Sequence, residues 1–302
     1  MPGGIVVALL LPILGLPLTD APQLAVALII MLIYTISFAR VDLGPLAANV
    51  KRVQWWVSRL GIVALLLVIS PVAWFALSSL LRLGDALTFA VVIVGLSPPI
   101  AAAANMCLLM RLNAVIALEV AVLASVLCPF IAPWVAWLLV GDQLEISPLA
   151  LSARIALIIG IGATVGILVR RALGPVRVLE HRLVFDGLSA LAMALFVLPI
   201  FGEVPGFVLS EPGLTIALLA MAFLANWGPQ WIFTRGLMRW QTPSDAGAIG
   251  MVSGNRSVGL FFAALPPDPA FAVFVALYQL PMFATPLCLN WWYRSHLARH
   301  QA

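Results

Sequence analysis

Ten apolar runs, each separated from the next by a short stretch rich in proline, glycine or charge, divide the chain at roughly residues 4–18, 24–39, 55–80, 86–110, 114–139, 149–172, 183–201, 213–237, 244–265 and 270–293. A helix needs about 20 apolar residues to cross a hydrocarbon core about 30 Å thick. The 302 residues therefore accommodate ten such helices with short loops and leave no room for a soluble domain. Several ends carry Trp or Tyr, among them Trp55, Trp56, Trp240, Trp291, Trp292 and Tyr293, as interfacial belts do. The pattern predicts an all-α polytopic membrane protein that forms one transmembrane unit over residues 1–302.

Composition agrees and narrows the function classes. Hydrophobic residues make up 63% of the chain and charged residues 9%, with a mean hydropathy of +1.12, whereas soluble domains are about 45–50% apolar and about 25% charged. The isoelectric point near 9.4 does not signal nucleic acid, because the basic residues lie in short loops beside apolar runs, where they set orientation. Cys107, Cys128 and Cys288 fall within apolar segments without metal-ligand spacing and read as small buried hydrophobes. The opening Met1-Pro2-Gly3-Gly4 lacks the basic region of a cleavable leader, so the first run is expected as a retained helix.

Charge alternates from loop to loop. Thirteen of the sixteen Lys and Arg residues fall on one side, grouped around Arg40 to Arg59, Arg111, Arg170 to Arg182, Arg235 with Arg239, and Arg294 with Arg299. The other side holds Asp20, Asp142, Glu145, Glu203, Glu211 and Asp268. The positive-inside rule then places both termini in the cytoplasm, and the even number of spans agrees. The expected location is the cytoplasmic membrane, crossed many times.

Five spans per half is an odd number, so two similar halves, residues 1–140 and 149–293, would insert with opposite orientation, the inverted-repeat plan of many secondary transporters. Each half has an interrupted fourth span, at Ser97-Pro98-Pro99 and at Ser253-Gly254-Asn255-Arg256. Proline removes an amide donor and glycine lets the backbone leave helical geometry. Either break alone reads equally as a kink; paired at corresponding positions, they favour a binding site at the bilayer midplane. Arg256 sharpens this, since a cation at that depth costs from about 2.5 to more than 10 kcal/mol unless a partner or a water-filled cavity receives it.

The residues at the breaks resemble a known family. Ser97-Pro98-Pro99, the small residues from Ala101 to Asn105, then Arg111 and Asn113, are similar to the fourth-helix crossover of the bile acid:sodium symporter family. Asp245-Ala246 followed by Gly254-Asn255-Arg256-Ser257-Val258-Gly259-Leu260 resembles that family's ninth-helix crossover. The resemblance covers nearly the whole chain and implies ten spans in two inverted halves, with helices four and nine discontinuous and crossing. It also implies sodium sites that this chain has lost. Asn105 matches a family asparagine, but Ala104, Glu119 and Leu123 stand where sodium-coupled members carry hydroxyls, Val252 or Ser253 replaces a glutamate, and Arg256 replaces a glutamine. Hard cations need several oxygen ligands, so sodium binding is not expected.

Glu119 is the sole acidic residue deep within a predicted span, and the fold implied by the resemblance sets helix five beside the crossover. The expectation is a Glu119–Arg256 ion pair where sodium would otherwise sit, either a permanent tie or a pair that opens so that Arg256 meets a substrate carboxylate and Glu119 takes a proton. The expected substrate-binding set is Asn105, Asn226, Ser253, Asn255 and Arg256; Asn226, with Gln230 one turn on, either lines the cavity or satisfies groups freed by Pro229. Arg154, near the outer end of helix six, reads as snorkelling to the interface. The function expected is a secondary active transporter or facilitator for a small organic anion, working by alternating access and not sodium-coupled, with a proton as the coupling ion left open. The implied partners are that anion and the lipid bilayer, with no cofactor, metal, nucleic acid or obligate protein partner. The alternative is a membrane sensor or scaffold built on a transporter fold. An enzyme is not expected: His181, His296 and His300 lie in loops or the tail, and no HExxH or phosphate-cradling glycine loop is present.

Overall fold

The computed structural model describes residues 21–41, 49, 51–100, 102–201 and 204–299. The expected first span, 4–18, and the loop residues Asp20 and Glu203 lie outside the described residues. Every other expected apolar run is helical, with 86–110 and 244–265 each split into two helices. In chain order the helices are α1 (Ala21–Arg40), α2 (Val53–Ala64), a π-helical turn (Leu65–Ile69), α3 (Ser70–Leu80), α4 (Asp85–Leu96), α5 (Ala103–Leu109), α6 (Ala114–Val140), α7 (Pro148–Leu173), α8 (Pro175–Glu180), α9 (Arg182–Phe201), α10 (Val204–Ser210), α11 (Pro212–Leu237), α12 (Pro243–Gly254), α13 (Val258–Ala264), α14 (Pro269–Cys288) and α15 (Asn290–Arg299). Five helical stretches among the described residues are long and apolar enough to cross a membrane: Val53–Leu80, Ala114–Gln143, Pro148–Leu173, Pro212–Leu237 and Pro269–Cys288.

Local chemistry explains where these helices start. Asn113 accepts from the amides of Val115 and Ile116 at the head of α6, Ser147 from Ala150 at α7, Thr242 from Asp245 at α12 and Asp268 from Phe271 at α14. Each side-chain oxygen satisfies an amide that the first turn leaves open. Proline opens α7, α11, α12 and α14, where its missing N–H costs nothing. Outward-facing residues such as Val57, Phe130, Leu138, Ile216, Trp231 and Leu287 are apolar and exposed, as a lipid-facing surface requires.

Two packed groups flank the centre of the molecule. In one, α1 lies against α7 and α9. Gly162 makes this approach possible, because a Cβ there would sit 2.6 Å from the Cβ of Tyr34 and 2.8 Å from the carbonyl oxygen of Met31. At the basic end the same group is tied by Arg40 to Asp186 at 2.7 Å. In the other, α12 lies in α11's lap and α6 runs alongside α2, α5 and α12. Gly254 is required there, since a Cβ would collide with the carbonyl oxygen of Asn226 and with the side chain of Gln230. The buried residues of α4 and α13, from Phe89 to Leu96 and from Val258 to Ala264, share one apolar core with α1, α7 and parts of α6, α11 and α14, while α5, α12 and the start of α6 form a second cluster beside it.

Candidate functional site

The two helix breaks meet. Helix α4 stops at Leu96, where Ser97 turns extended, and α12 stops at Gly254, where Asn255 does the same. Residues 97–100 and 255–257 then run antiparallel through a bridge between Pro99 and Arg256. The amide of Ile100 donates to Asn255 O at 3.0 Å, and the amide of Ser257 donates to Pro98 O at 2.8 Å. Backbone groups that left their helices are thus satisfied by one another.

Arg256 is 2% exposed and spreads its guanidinium over three backbone carbonyls. Nε donates to Ser253 O at 2.9 Å, Nη1 to Ser97 O at 2.9 Å and Nη2 to Leu66 O at 3.1 Å. Each acceptor has been released by a specific break. The amide four residues after Ser253 is that of Ser257, which goes to Pro98 instead. Ser97 stands past the last residue of α4. Leu66 lies in the π-turn, where the amide of Ser70 slips back to Leu65 O. The next residue, Pro71, has no N–H to offer, so no amide of its own helix reaches Leu66 O. The guanidinium supplies donors where three helices have run out of them.

The expected Glu119–Arg256 pair is not formed in this structure. Glu119, 3% exposed, takes Arg59 Nε on Oε2 at 2.7 Å and the Asn49 side-chain amide on Oε1 at 3.0 Å. Arg59 is midway along α2, which packs along α6, so the carboxylate meets a cation at its own level. Arg256 has no carboxylate against it among the described residues.

Three expected binding residues serve the crossover itself. Ser253 Oγ donates to Ile249 O at 2.7 Å, and the Asn255 amide donates to Met251 O at 3.0 Å, so both side chains fold back on α12. Asn226, fully buried, donates to Gly254 O at 2.9 Å and accepts from Gln230 at 2.8 Å. Tyr278 also donates to Gly254 O, and Thr285 and Tyr293 extend the network through Asn226 and Gln230. This network holds the end of α12 in place. None of Asn226, Ser253 or Asn255 lines the cavity that Arg256 borders.

The cavity, of about 320 Å³, lies between the two groups, and Arg256 forms part of its wall. Asn105 also lines it, so the structure brings these two expected residues together. Along α1 the lining runs from Ile30 to Val41 and along α6 from Ala114 to Ser125, so the cavity occupies the half of the molecule that carries Arg40 and Asn113. The opposite half is closed off from Arg256, which forms no part of the separate pocket of about 210 Å³ there beside Asp85, Glu145 and Asp268. There Leu151, Ile155 and Ile158 of α7 are buried, and Arg154 Nη1 donates to Ala264 O, the last carbonyl of α13, at 3.0 Å. Arg154 thus joins the two groups across the closed end instead of only reaching toward the interface.

Sequence reasoning passed over Tyr34, Ser125 and Ser257, which border the cavity along with Arg256; Gln279, for which satisfying the Pro281 kink and facing the cavity read equally from the sequence, borders it too. A lone tyrosine or serine in an apolar run carries no signal of its own. Among the described residues no cluster of three or more His, Cys, Asp or Glu side chains could hold a metal ion.

A family model described as the Sodium Bile acid symporter family matches residues 25–204. No curated protein matches the chain.

Proposed function

Because the chain belongs to the sodium bile acid symporter family, whose members are membrane transporters, we propose that it carries a small organic anion across the cytoplasmic membrane by alternating access, without sodium coupling. The observation that carries this reading is the guanidinium of Arg256: buried, held by three carbonyls, without a carboxylate partner among the described residues, and facing a cavity open on one side. A fixed cation in a low-dielectric wall attracts an anion far more strongly than the same charge in water. Charge counting specifies the guest further. Arg40, the other cation on the wall, is neutralised by Asp186, so one positive charge is left for a monoanion to balance.

The same geometry argues against sodium. The oxygens of Leu66, Ser97 and Ser253 already serve the guanidinium, and a hard cation would need several such oxygens free. Glu119 is engaged by Arg59 and Asn49, which removes the obvious proton acceptor and leaves facilitated movement or exchange as the favoured cycle.

In this reading α4 with α5, and α12 with α13, are two discontinuous spans that cross at the midplane of a ten-span inverted repeat. The group of α1, α7 and α9 rocks against the rest around that crossing. The half-molecule cavity is the inward-open state, with the basic end toward the cytoplasm.

Uptake of a panel of radiolabelled organic anions into proteoliposomes tests this. The expected result is saturable flux of at least one monoanion, equal in sodium and potassium media. Flux that requires sodium overturns the uncoupled cycle. Saturable binding without flux would establish the sensor or scaffold reading in its place.

A further inference from the structure

The hydroxyl of Tyr34 is buried and makes no hydrogen bond, although Tyr34 is only 5% exposed and lines the cavity. The hydroxyls of Ser125 and Ser257 lie beside it, and neither closes a bond of proper geometry on it. Buried polar groups are paired with few exceptions, and an orphan in a cavity wall is a place where a ligand completes the count. Three elements contribute: Tyr34 from α1, Ser125 from α6, and Ser257 from the residue after Arg256 at the crossover. Gly162 makes room for α1 at the level of Tyr34, so the phenol is placed there by backbone packing and not by a polar partner.

We propose that Tyr34, with Ser125 and Ser257, is the specificity-determining contact for the anion's head group: the phenol donates to the oxygen of the head group that Arg256 does not neutralise. This deepens the anion-transport reading and rests on it. Tyr34 belongs to the group of α1, α7 and α9, whereas Arg256 and Ser257 belong to the crossover. An anion held by both therefore spans the two bodies whose relative movement defines the cycle. The head group fits a carboxylate, with two oxygens for two donors, and the apolar tail follows Ile33, Phe38, Leu118, Val122, Phe196 and Met282 along the wall.

The test uses the full-length protein in detergent, with hexanoate as probe and hexanol and hexylamine as charge controls, read by thermal shift. Hexanoate should raise the melting temperature saturably while the two controls do not. Tyr34→Phe should raise the half-saturating hexanoate concentration about tenfold. Without ligand the same variant should melt at the wild-type temperature or above, because it removes an unpaired hydroxyl. Ser125→Ala should weaken hexanoate binding in the same direction. If hexanoate binds wild type and Tyr34→Phe with equal affinity, the Tyr34 contact is wrong and the anion cavity stands. If Tyr34→Phe melts lower without ligand and binds normally, the phenol is structural. If hexanoate and hexanol act alike on wild type, the anion reading itself falls and this contact with it.

Discussion

Arg256 and Leu66 are 190 residues apart in sequence and joined by a hydrogen bond of 3.1 Å from a guanidinium nitrogen to a backbone carbonyl. That bond exists because the helix containing Leu66 fails to use its own oxygen. A π-turn shifts the amide of Ser70 to Leu65, and Pro71 has no amide to replace it. The cation is therefore fixed by defects in the hydrogen-bond ladders of three helices, and its stability is open to mutation at sites that never touch it.

Pro71→Ala is the cleanest such site. The new amide can claim Leu66 O and loosen the guanidinium without altering the cavity wall, where Pro71 is absent. Hexanoate affinity should fall severalfold, measured by thermal shift. Unchanged affinity would show that Leu66 O is dispensable.

Arg256→Lys retains the charge and cannot reach three carbonyls at once. Losing two charge-assisted bonds in a buried setting should cost at least about 3 kcal/mol. The melting temperature of the purified protein should drop clearly, with anion binding weakened but present. Arg256→Gln should lose binding altogether.

Glu119→Gln leaves Arg59 beside a neutral amide in a largely buried place. Breaking such a pair costs up to about 3–5 kcal/mol, less here because the Arg59 side chain keeps 15% exposure. The double variant Arg59→Gln/Glu119→Gln should recover part of the loss in a double-mutant cycle. The pH profile of flux should follow wild type. A profile altered by Glu119→Gln would restore a proton-coupling role for the carboxylate.

Gly254→Ala forces a methyl into the Asn226 carbonyl and the Gln230 side chain. Overpacking of this kind costs about 1–3 kcal/mol, and it pushes the end of α12 away from the network that orients it. Both the melting temperature and hexanoate affinity should fall. A variant of wild-type stability would mean that α11 and α12 are less tightly apposed than the distances require.

Arg154→Ala should open the closed end. On a cysteine-free background, Ile158→Cys is buried, and an impermeant maleimide applied from the acidic side should label it slowly. Removing the bond to Ala264 O should speed labelling about fivefold or more, in line with a bond worth about 1 kcal/mol or more. Equal labelling rates would show that apolar packing alone keeps that end shut.

Much of this molecule was legible in its residues, and the remainder was hidden for physical reasons. Apolar runs marked helix positions to within a few residues, as with 114–139 against Ala114–Val140 and 213–237 against Pro212–Leu237, because hydropathy and capping residues act locally. The breaks at Ser97-Pro98-Pro99 and Gly254-Asn255-Arg256 were visible since proline and glycine carry their backbone consequences with them. The partners of Arg256 were not, because every residue owns a carbonyl and nothing in the side chains of Leu66 or Ser97 marks theirs as vacant. Glu119 was assigned the wrong cation for a related reason. Depth along a helix indicates that a carboxylate needs a partner, but which arginine supplies it depends on how α2 lies on α6, a choice made by packing. Tyr34 looked like any aromatic residue in an apolar stretch until its hydroxyl proved to have no mate.

The bridged segments at residues 97–100 and 255–257 also constrain how the chain can be made. A ribosome feeding this polypeptide into the bilayer completes α4 and α5 some 150 residues before Asn255 and Ser257 emerge, and until then the exposed amide of Ile100 and carbonyl of Pro98 have no complement. The seam of the amino-terminal half therefore stays open through about half of translation and is completed only when the carboxy-terminal half arrives to close it.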